Sequence, residues 1–439
     1  MHHLSRERLK DLVEGSAALV DLSGAVSHLA TCSMCMTAAE GLLGQGDRKR
    51  GAAKIVRNLL DLEERGIVEM LVADSQWAEL QRLGPKAQKE RIAVSAACKA
   101  PAFARLLLVE LRNSSSWEEA ERLAALVAAS THAMDPSEFD SSLKNDLRGE
   151  TMIELANSRR RAAEWKRSED ALTKAEAFLA AGTGDRRLRA RLLTIAAHLD
   201  ADRGKTESAV AAFTRSRKLY ESLGERAMVA RTLVQLADTL SEPDPHAGLA
   251  YLDEADSYLV AGDPLTLNAK LLRVDCLVWT GQHREASRCL IGCERPESGR
   301  MLIRYRFIGA RVLHALGYRR EAERLLGNVV TDDLENELFK DALLDLLYLL
   351  KVHIIEGERD KAIGVCRRAL GEPVLADFSH DQIKAVWRQI LAALEIPTFD
   401  AAIFPSIKLY LSLHWRHPAS SVPSLAESHR VIIPPCQGT

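Results

Sequence analysis

Apolar residues recur at helical spacing along most of this chain, and short breaks interrupt them at regular intervals. Each break is followed by a small residue near the start of the next apolar segment, which we call the anchor of a repeat. The anchors are Ala120, Ala171, Ala209, Gly248, Ala286, Ala322 and Ala362. Their spacings of 51, 38, 39, 38, 36 and 40 residues fit two antiparallel helices, A and B, in each repeat.

A turn-forming residue lies five positions before five of the anchors. These residues are Gly204, Pro243, Gly281, Gly317 and Gly357. Glycine after the last turn of a helix adopts the left-handed backbone conformation that ends the helix, so each position marks the break between an A and a B helix. The predicted A helices lie near residues 188–203, 226–240, 265–280, 301–316 and 340–356.

The longest spacing, between Ala120 and Ala171, needs a separate explanation. We assign it to an insertion around Asp135-Pro136-Ser137, where the sequence predicts a capped helix start.

The residues that follow the anchors resemble tetratricopeptide (TPR) repeats over about residues 117–375. An apolar residue lies four positions after several anchors, at Phe213, Leu252, Leu290 and Leu326. The period exceeds the family's standard of about 34 residues, and most repeats lack its terminal proline. The resemblance implies an all-α, TPR-like α-solenoid whose A helices line a concave groove for a peptide, a helix or a small ligand.

Three metal-ligating residues lie close together near the N-terminus, at His28, Cys32 and Cys35. The His-x3-Cys spacing places two ligands one helical turn apart, and Cys-x2-Cys returns the third to the same point. A tetrahedral zinc site then lacks one ligand, which His2 or His3 can supply. The alternative is that the two cysteines pack in a core without a metal.

The segment His3-Leu4-Ser5, together with the His28–Cys35 motif, resembles the zinc-binding anti-sigma finger. That resemblance implies Zn²⁺ bound by His3, His28, Cys32 and Cys35, in a small helical domain that binds a sigma factor. It covers roughly the first tenth of the chain.

Five parts of the chain follow from these patterns. They are a zinc-finger domain (1–46), a linker and irregular helical bridge (47–115), TPR-like repeats (116–375), C-terminal capping helices (376–417) and a disordered tail (418–439). The linker contains several glycines around Arg48-Lys49-Arg50.

Charge and hydropathy limit the partners of this protein. Lys and Arg number 59 and Asp and Glu 61, a net charge of −2, which gives no overall attraction to phosphate backbones. We therefore expect no direct nucleic-acid binding.

The richest apolar run, from Leu343 to Ile355, is shorter than the about 20 residues of a membrane span. With no secretory signal and scattered cysteines, a cytoplasmic protein with reduced thiols is expected.

The sequence contains no motif typical of an enzyme, and we expect the protein to have no catalytic activity. Gly204-Lys205-Thr206 resembles the end of a phosphate-binding loop, but position 199, where the earlier glycine is required, is Leu. We interpret this segment as a helix turn.

The repeats also account for other reactive residues. Cys289 and Cys293 could form a metal site with His283, but Cys293 lies at a packing position seven residues after an anchor and Cys366 at one four residues after an anchor, so core thiols are expected. The arginine runs at 159–161 and 186–191 could bind an acidic partner, but a solvated helix face is the favoured interpretation.

Two classes of function fit these patterns. In the first, the protein is a non-enzymatic regulator whose zinc finger binds a sigma factor while the repeat array senses a protein or peptide partner. In the second, it is a scaffold in which the zinc finger is only a structural cap.

The zinc motif predicts that about one zinc ion binds per chain through two thiolates and two imidazoles. Replacing both thiolates, in a Cys32→Ser/Cys35→Ser variant, removes half of the ligands and should abolish zinc binding. Metal analysis of protein purified without an affinity tag measures this. If the variant retains as much zinc as the parent protein, the zinc site lies elsewhere in the chain.

Overall fold

The computed structural model describes residues 68–371, except 115, 138, 163, 261 and 337–338, together with Ala38 and a few positions between 387 and 394. All regular secondary structure in this part of the chain is helical, which confirms the all-α prediction. The predicted zinc-finger domain, apart from Ala38, and the predicted C-terminal tail lie outside the described residues.

The helices follow one another with short connections. They are α1 (68–80), α2 (Pro85–Val94), α3 (Pro101–Asn113), α4 (Trp117–Ala133), α5 (Ser141–Arg161), α6 (Trp165–Ala180), α7 (Arg186–Asp202), α8 (Thr206–Leu223), α9 (Arg226–Leu240), α10 (Pro245–Ala255), α11 (Pro264–Trp279), α12 (His283–Ile291), α13 (Gly299–Ala315), α14 (Arg319–Glu335), α15 (Phe339–Ile355) and α16 (Arg359–Gly371). A 3₁₀ turn, Ala97–Lys99, lies between α2 and α3. The five predicted A helices, α7, α9, α11, α13 and α15, begin and end within two residues of their predicted bounds.

The chain divides into two compact units. Unit 1 comprises Met1–Ile195 and Leu219–Gly224, and unit 2 comprises Ala196–Lys218 and Glu225–Thr439. In unit 1 one core joins Trp77, Leu80 and Phe103 to Leu123 of α4, so the described part of the predicted irregular bridge packs against the first helix of the repeats. In unit 2 the largest core includes Trp387, from the predicted capping region.

The anchors occupy equivalent places. Six of them are the fourth residue of a B helix, namely Ala120, Ala209, Gly248, Ala286, Ala322 and Ala362. The alanines are 0% exposed. At Gly248 an added Cβ would lie 3.1 Å from Cys276 Sγ and 3.3 Å from the Ala237 carbonyl oxygen, closer than ordinary packing allows. A small residue at this position therefore lets the B helix approach its A helices.

The remaining anchor was predicted at Ala171, which is three residues too far along its helix. Ala171 is buried, but it is the seventh residue of α6, and the fourth is Ser168. Ser168 is 0% exposed, and its hydroxyl donates to the Ala156 carbonyl oxygen at 2.8 Å. A serine takes the anchor place here because its hydroxyl finds an acceptor on the neighbouring helix.

The predicted turn glycines have the expected conformation. Gly204, Gly281, Gly317 and Gly357 have φ values of 66°, 76°, 88° and 72°. Each follows an A helix, so the left-handed residue ends the helix as predicted.

The prediction at Asp135-Pro136-Ser137 was wrong. Asp135 closes a turn by accepting from the Ser137 amide at 2.8 Å, and α5 begins only at Ser141, with Asp140 as its N-cap. Asp-Pro-Ser is also a signal for such a turn, and the long spacing is filled by the 21 residues of α5.

Several ion pairs and hydrogen bonds join residues that lie about one repeat apart in the sequence. Arg112 pairs with Glu150 and Arg159 with Glu121 at a separation of 38 residues, and Arg191 with Glu154 at 37. In unit 2, Arg217–Glu254 and Lys361–Glu323 have separations of 37 and 38. These separations match the spacing of the anchors, so polar side chains meet their equivalents one repeat away.

Among the residues that the structure describes, each helix is too short or too polar to cross a lipid bilayer.

Candidate functional site

A cavity of about 880 Å³ lies along the A helices of unit 2. Most of its lining belongs to α11, its N-cap Asp263 and α13, and α9, α14 and α15 contribute one residue each. The lining residues are Arg231, Asp263, Pro264, Leu265, Asn268, Asp275, Arg300, Met301, Ile303, Arg304, Phe307, Ile308, Asp333 and Asp345. We call this cavity the groove. Its volume is typical of a ligand site.

Local sequence fixes how the two main helices enter the groove. Asp263 is the N-cap of α11 and accepts from the Leu265 amide at 2.8 Å, while Pro264 takes the first helical position, where its missing N–H costs nothing. Gly299, with φ of 72°, begins α13. Since α9 packs against α11 and α11 against α13, three A helices lie side by side.

A buried ion pair supports the wall of the groove. Arg311 is 6% exposed and its guanidinium contacts the Asp275 carboxylate. The guanidinium carbon also lies 4.9 Å from the ring centre of Trp279, 5.3 Å from that of Tyr348 and 5.9 Å from that of Phe307. Stacking against three aromatic faces stabilises the cation in a site that is largely closed to water.

Burial controls protonation around this pair. It raises the pKa of the Asp275 carboxyl, against the opposing effect of Arg311, and it raises the pKa of the Tyr348 hydroxyl. It also lowers the pKa of Lys351, whose Nζ lies 4.7 Å from the Trp279 ring centre. All three shifts have desolvation as their largest cause, so this wall has a low effective dielectric.

Two groups of the groove are available to a ligand. The Asn268 side chain is half-buried and makes no hydrogen bond to any residue that the structure describes. A carboxamide offers both a donor and an acceptor, the pair that a peptide bond requires. Arg231 is exposed and likewise has no ion pair within the described residues. Between these polar groups, Met301, Ile303 and Phe307 provide apolar surface.

The groove carries charges of both signs. Its acids are Asp263, Asp275, Asp333 and Asp345, and its bases are Arg231, Arg300 and Arg304. Arg304 also reaches Asp238 at 3.1 Å. A ligand that complements this lining has apolar, acidic and basic groups together.

The predicted zinc ligands His3, His28, Cys32 and Cys35, and the alternative His2, lie outside the described residues. The zinc site therefore stays a prediction.

Within the described residues, one trio of possible metal ligands occurs, at Glu323, His353 and Glu358. His353 Nδ1 lies 2.9 Å from Glu358 Oε2. Lys361 Nζ donates to both carboxylates, at 2.8 Å to Glu323 and 3.1 Å to Glu358. The ammonium group bridges the two carboxylates, so the trio is part of an ion-pair network that joins α14, α15 and the residues around the start of α16.

The prediction of core thiols is confirmed at Cys293 and Cys366, whereas Cys289 is only partly buried. Cys276 and Cys366 are 0% exposed and Cys293 is 7% exposed. Burial raises the pKa of Cys276 and of Cys366 to about 12. Such thiols remain protonated and unreactive.

The arginine runs are only partly the solvated faces that the sequence favoured. Arg159 Nε donates to Glu121 at 2.9 Å with its side chain 15% exposed, and Arg191 pairs with the buried Glu154 at 3.0 Å. These arginines join neighbouring helices.

Gly204-Lys205 forms the predicted helix turn, since the Lys205 amide donates to the Asp200 carbonyl oxygen at 2.8 Å.

The groove residues were not identified by sequence reasoning. Charged residues such as Asp275 and Arg311 sit inside helices, where a charge usually indicates a solvated face. Their separation of 36 residues is the signal that could have paired them, because it equals one repeat.

Comparisons with known proteins identify the fold. No protein-family model matches this chain, and a search of curated proteins found no match. The chain is similar to a solved structure described as the crystal structure of a Rap protein complexed with competence and sporulation factor, with a TM-score of 0.52 and 14% identity, over 75% of this chain and 96% of that one. At this identity the likeness shows the fold alone. The chain has a TPR-like helical-repeat fold, and the anti-sigma resemblance stays a prediction.

The buried pair predicts a pH-dependent loss of stability. Arg311→Met leaves Asp275 buried without its partner and should lower the free energy of unfolding by about 3–5 kcal/mol near neutral pH. Because burial raises the folded-state pKa of Asp275, the folded state holds this proton more tightly than the unfolded state does. Stability is therefore lost as the pH rises above the unfolded pKa, and the deficit should be smaller at about pH 4 than at about pH 7.

Urea denaturation followed by circular dichroism measures this deficit, with Asp275→Asn/Arg311→Met as the control that removes both charges. The double variant should recover most of the loss. Equal deficits at the two pH values, or no recovery, would contradict the role of this pair.

Proposed function

We propose that this protein is a regulator that binds a peptide, or an extended segment of a protein partner, in the groove of unit 2. Binding, rather than catalysis, is its activity in this proposal. The observation that carries it is the half-buried Asn268 carboxamide, left without a hydrogen bond to the described residues, in a cavity of about 880 Å³ with apolar surface and both signs of charge.

Peptide chemistry fits this lining better than a purely apolar ligand does. A peptide offers a donor and an acceptor at every bond, which Asn268 can satisfy, and its side chains supply groups for Phe307 and for Arg231. The related Rap structure is a complex with competence and sporulation factor. That a protein of this fold binds a partner supports a binding function here, without assigning the same ligand.

A finer proposal concerns how binding is transmitted. The His28, Cys32 and Cys35 motif supports a zinc-bound N-terminal domain that acts as the output and binds a sigma factor. The donor set of two thiolates and two imidazoles suits tetrahedral zinc. If that domain binds zinc but no sigma factor of the source organism, while the groove still binds protein segments, the scaffold is the remaining function.

The groove proposal predicts that Asn268→Ala weakens peptide binding about tenfold, because one buried hydrogen bond of about 1–1.5 kcal/mol is lost and a peptide group is left unsatisfied. Random displayed peptides are selected on the immobilised full chain. Fluorescence polarisation of the selected peptides then gives dissociation constants for each variant.

The matched control is Asn328→Ala, on the exposed face of α14 and outside the groove, which should leave affinity unchanged. Failure to select any peptide, or equal binding by the Asn268→Ala variant, would count against the groove as the binding site.

A further inference from the structure

Unit 1 contains a second cavity, of about 810 Å³, that the proposed function does not use. Four arginines and three carboxylates line it, and the other lining groups are mostly leucines. The lining residues are Arg105, Leu108, Val109, Arg112, Leu143, Asp146, Leu147, Glu150, Thr183, Gly184, Asp185, Arg186, Arg187, Leu188 and Leu223. We call this the arginine cavity.

Its carboxylates are already engaged. Asp146 accepts from the Thr183 amide at 3.2 Å and from its hydroxyl. Asp185 accepts from the Arg187 amide at 2.7 Å at the start of α7. Glu150 accepts from Arg112, so each acid of the cavity already has a donor among the described residues.

Two of its arginines are available. Arg105 and Arg186 make no hydrogen bond to any residue that the structure describes. Arg105 is partly buried on α3, and burial lowers its pKa against the opposing charges of Glu150 and Glu69. Arg186 is the first residue of α7 and is exposed. Because neither guanidinium has an acceptor among the described residues, an arriving carboxylate gains charge-assisted hydrogen bonds from both.

The rest of the cavity is apolar. Its aliphatic surface comes from six residues, Leu108, Val109, Leu143, Leu147, Leu188 and Leu223. Leu108 and Leu147 belong to the core of unit 1, so this surface is fixed by packing. A fully ionic ligand would leave it uncovered.

We propose that the arginine cavity binds a small organic acid, with Arg105 and Arg186 as the groups that bind its carboxylate and the leucines as the surface that covers its apolar body. A planar guanidinium matches a carboxylate with two parallel hydrogen bonds. The site is separate from the peptide groove and does not depend on it.

Isothermal titration of the full chain with octanoate and with 1-octanol tests this assignment, since the two probes share a chain length and differ in the charged group. Octanoate should bind at least about tenfold more tightly, the effect of one charge-assisted hydrogen bond. Arg105→Gln and Arg186→Gln should each remove most of that difference and leave octanol binding within about twofold. Because Arg186 is exposed, the Arg186→Gln variant should fold, and it still tests the proposal if the Arg105→Gln variant does not fold.

Two control variants test whether octanoate binds in the arginine cavity. Arg148→Gln lies on α5 outside the cavity lining and should change nothing, and Arg231→Gln tests the groove of unit 2. Equal affinities for octanoate and octanol would overturn the proposal. So would a loss caused by Arg231→Gln and not by Arg105→Gln or Arg186→Gln.

Discussion

The close approach of each B helix to its A helices is the constraint on which the rest of this structure depends. It occurs at the fourth residue of the B helix, which is Ala, Gly or Ser in each of the seven B helices from α4 to α16 that the structure describes. At Gly248 even an added Cβ would lie close enough to the neighbouring sulfur and carbonyl oxygen that these atoms would have to shift. Because protein interiors are close-packed, a longer side chain there would force the helices apart or shift the backbone. The spacing of these residues therefore sets the spacing of the A helices that form the groove.

Ion pairs between residues one repeat apart also favour this spacing of the helices, but they contribute less to stability than the packing at the anchors does. Pairs such as Arg217–Glu254 and Lys361–Glu323 are partly exposed, and such pairs contribute little to stability. Their common separation of 37 or 38 residues still favours one alignment of consecutive repeats over a shifted one. The buried Asp275–Arg311 pair is different, since its desolvation makes a missing partner costly.

Local features of the sequence were enough to predict the helices. The A helix bounds and the left-handed glycines follow from short-range rules, because one residue such as Gly317 ends a helix whatever surrounds it. The register at Ser168 was missed because a serine does not count as apolar, although its hydroxyl is satisfied within the core. The groove could not be predicted, since it depends on which faces of α11 and α13 meet, and charged residues such as Asp275 are taken for solvated ones until their partners are known.

Hydrogen–deuterium exchange of the full chain, with and without a peptide selected for binding, tests the central claim of a peptide groove most directly. Slower exchange should appear in α11 and α13, the helices that supply most of the groove, because a bound segment restricts their opening. The account predicts little change in the B helices α12 and α16. Protection confined to those B helices, or to unit 1, would contradict it.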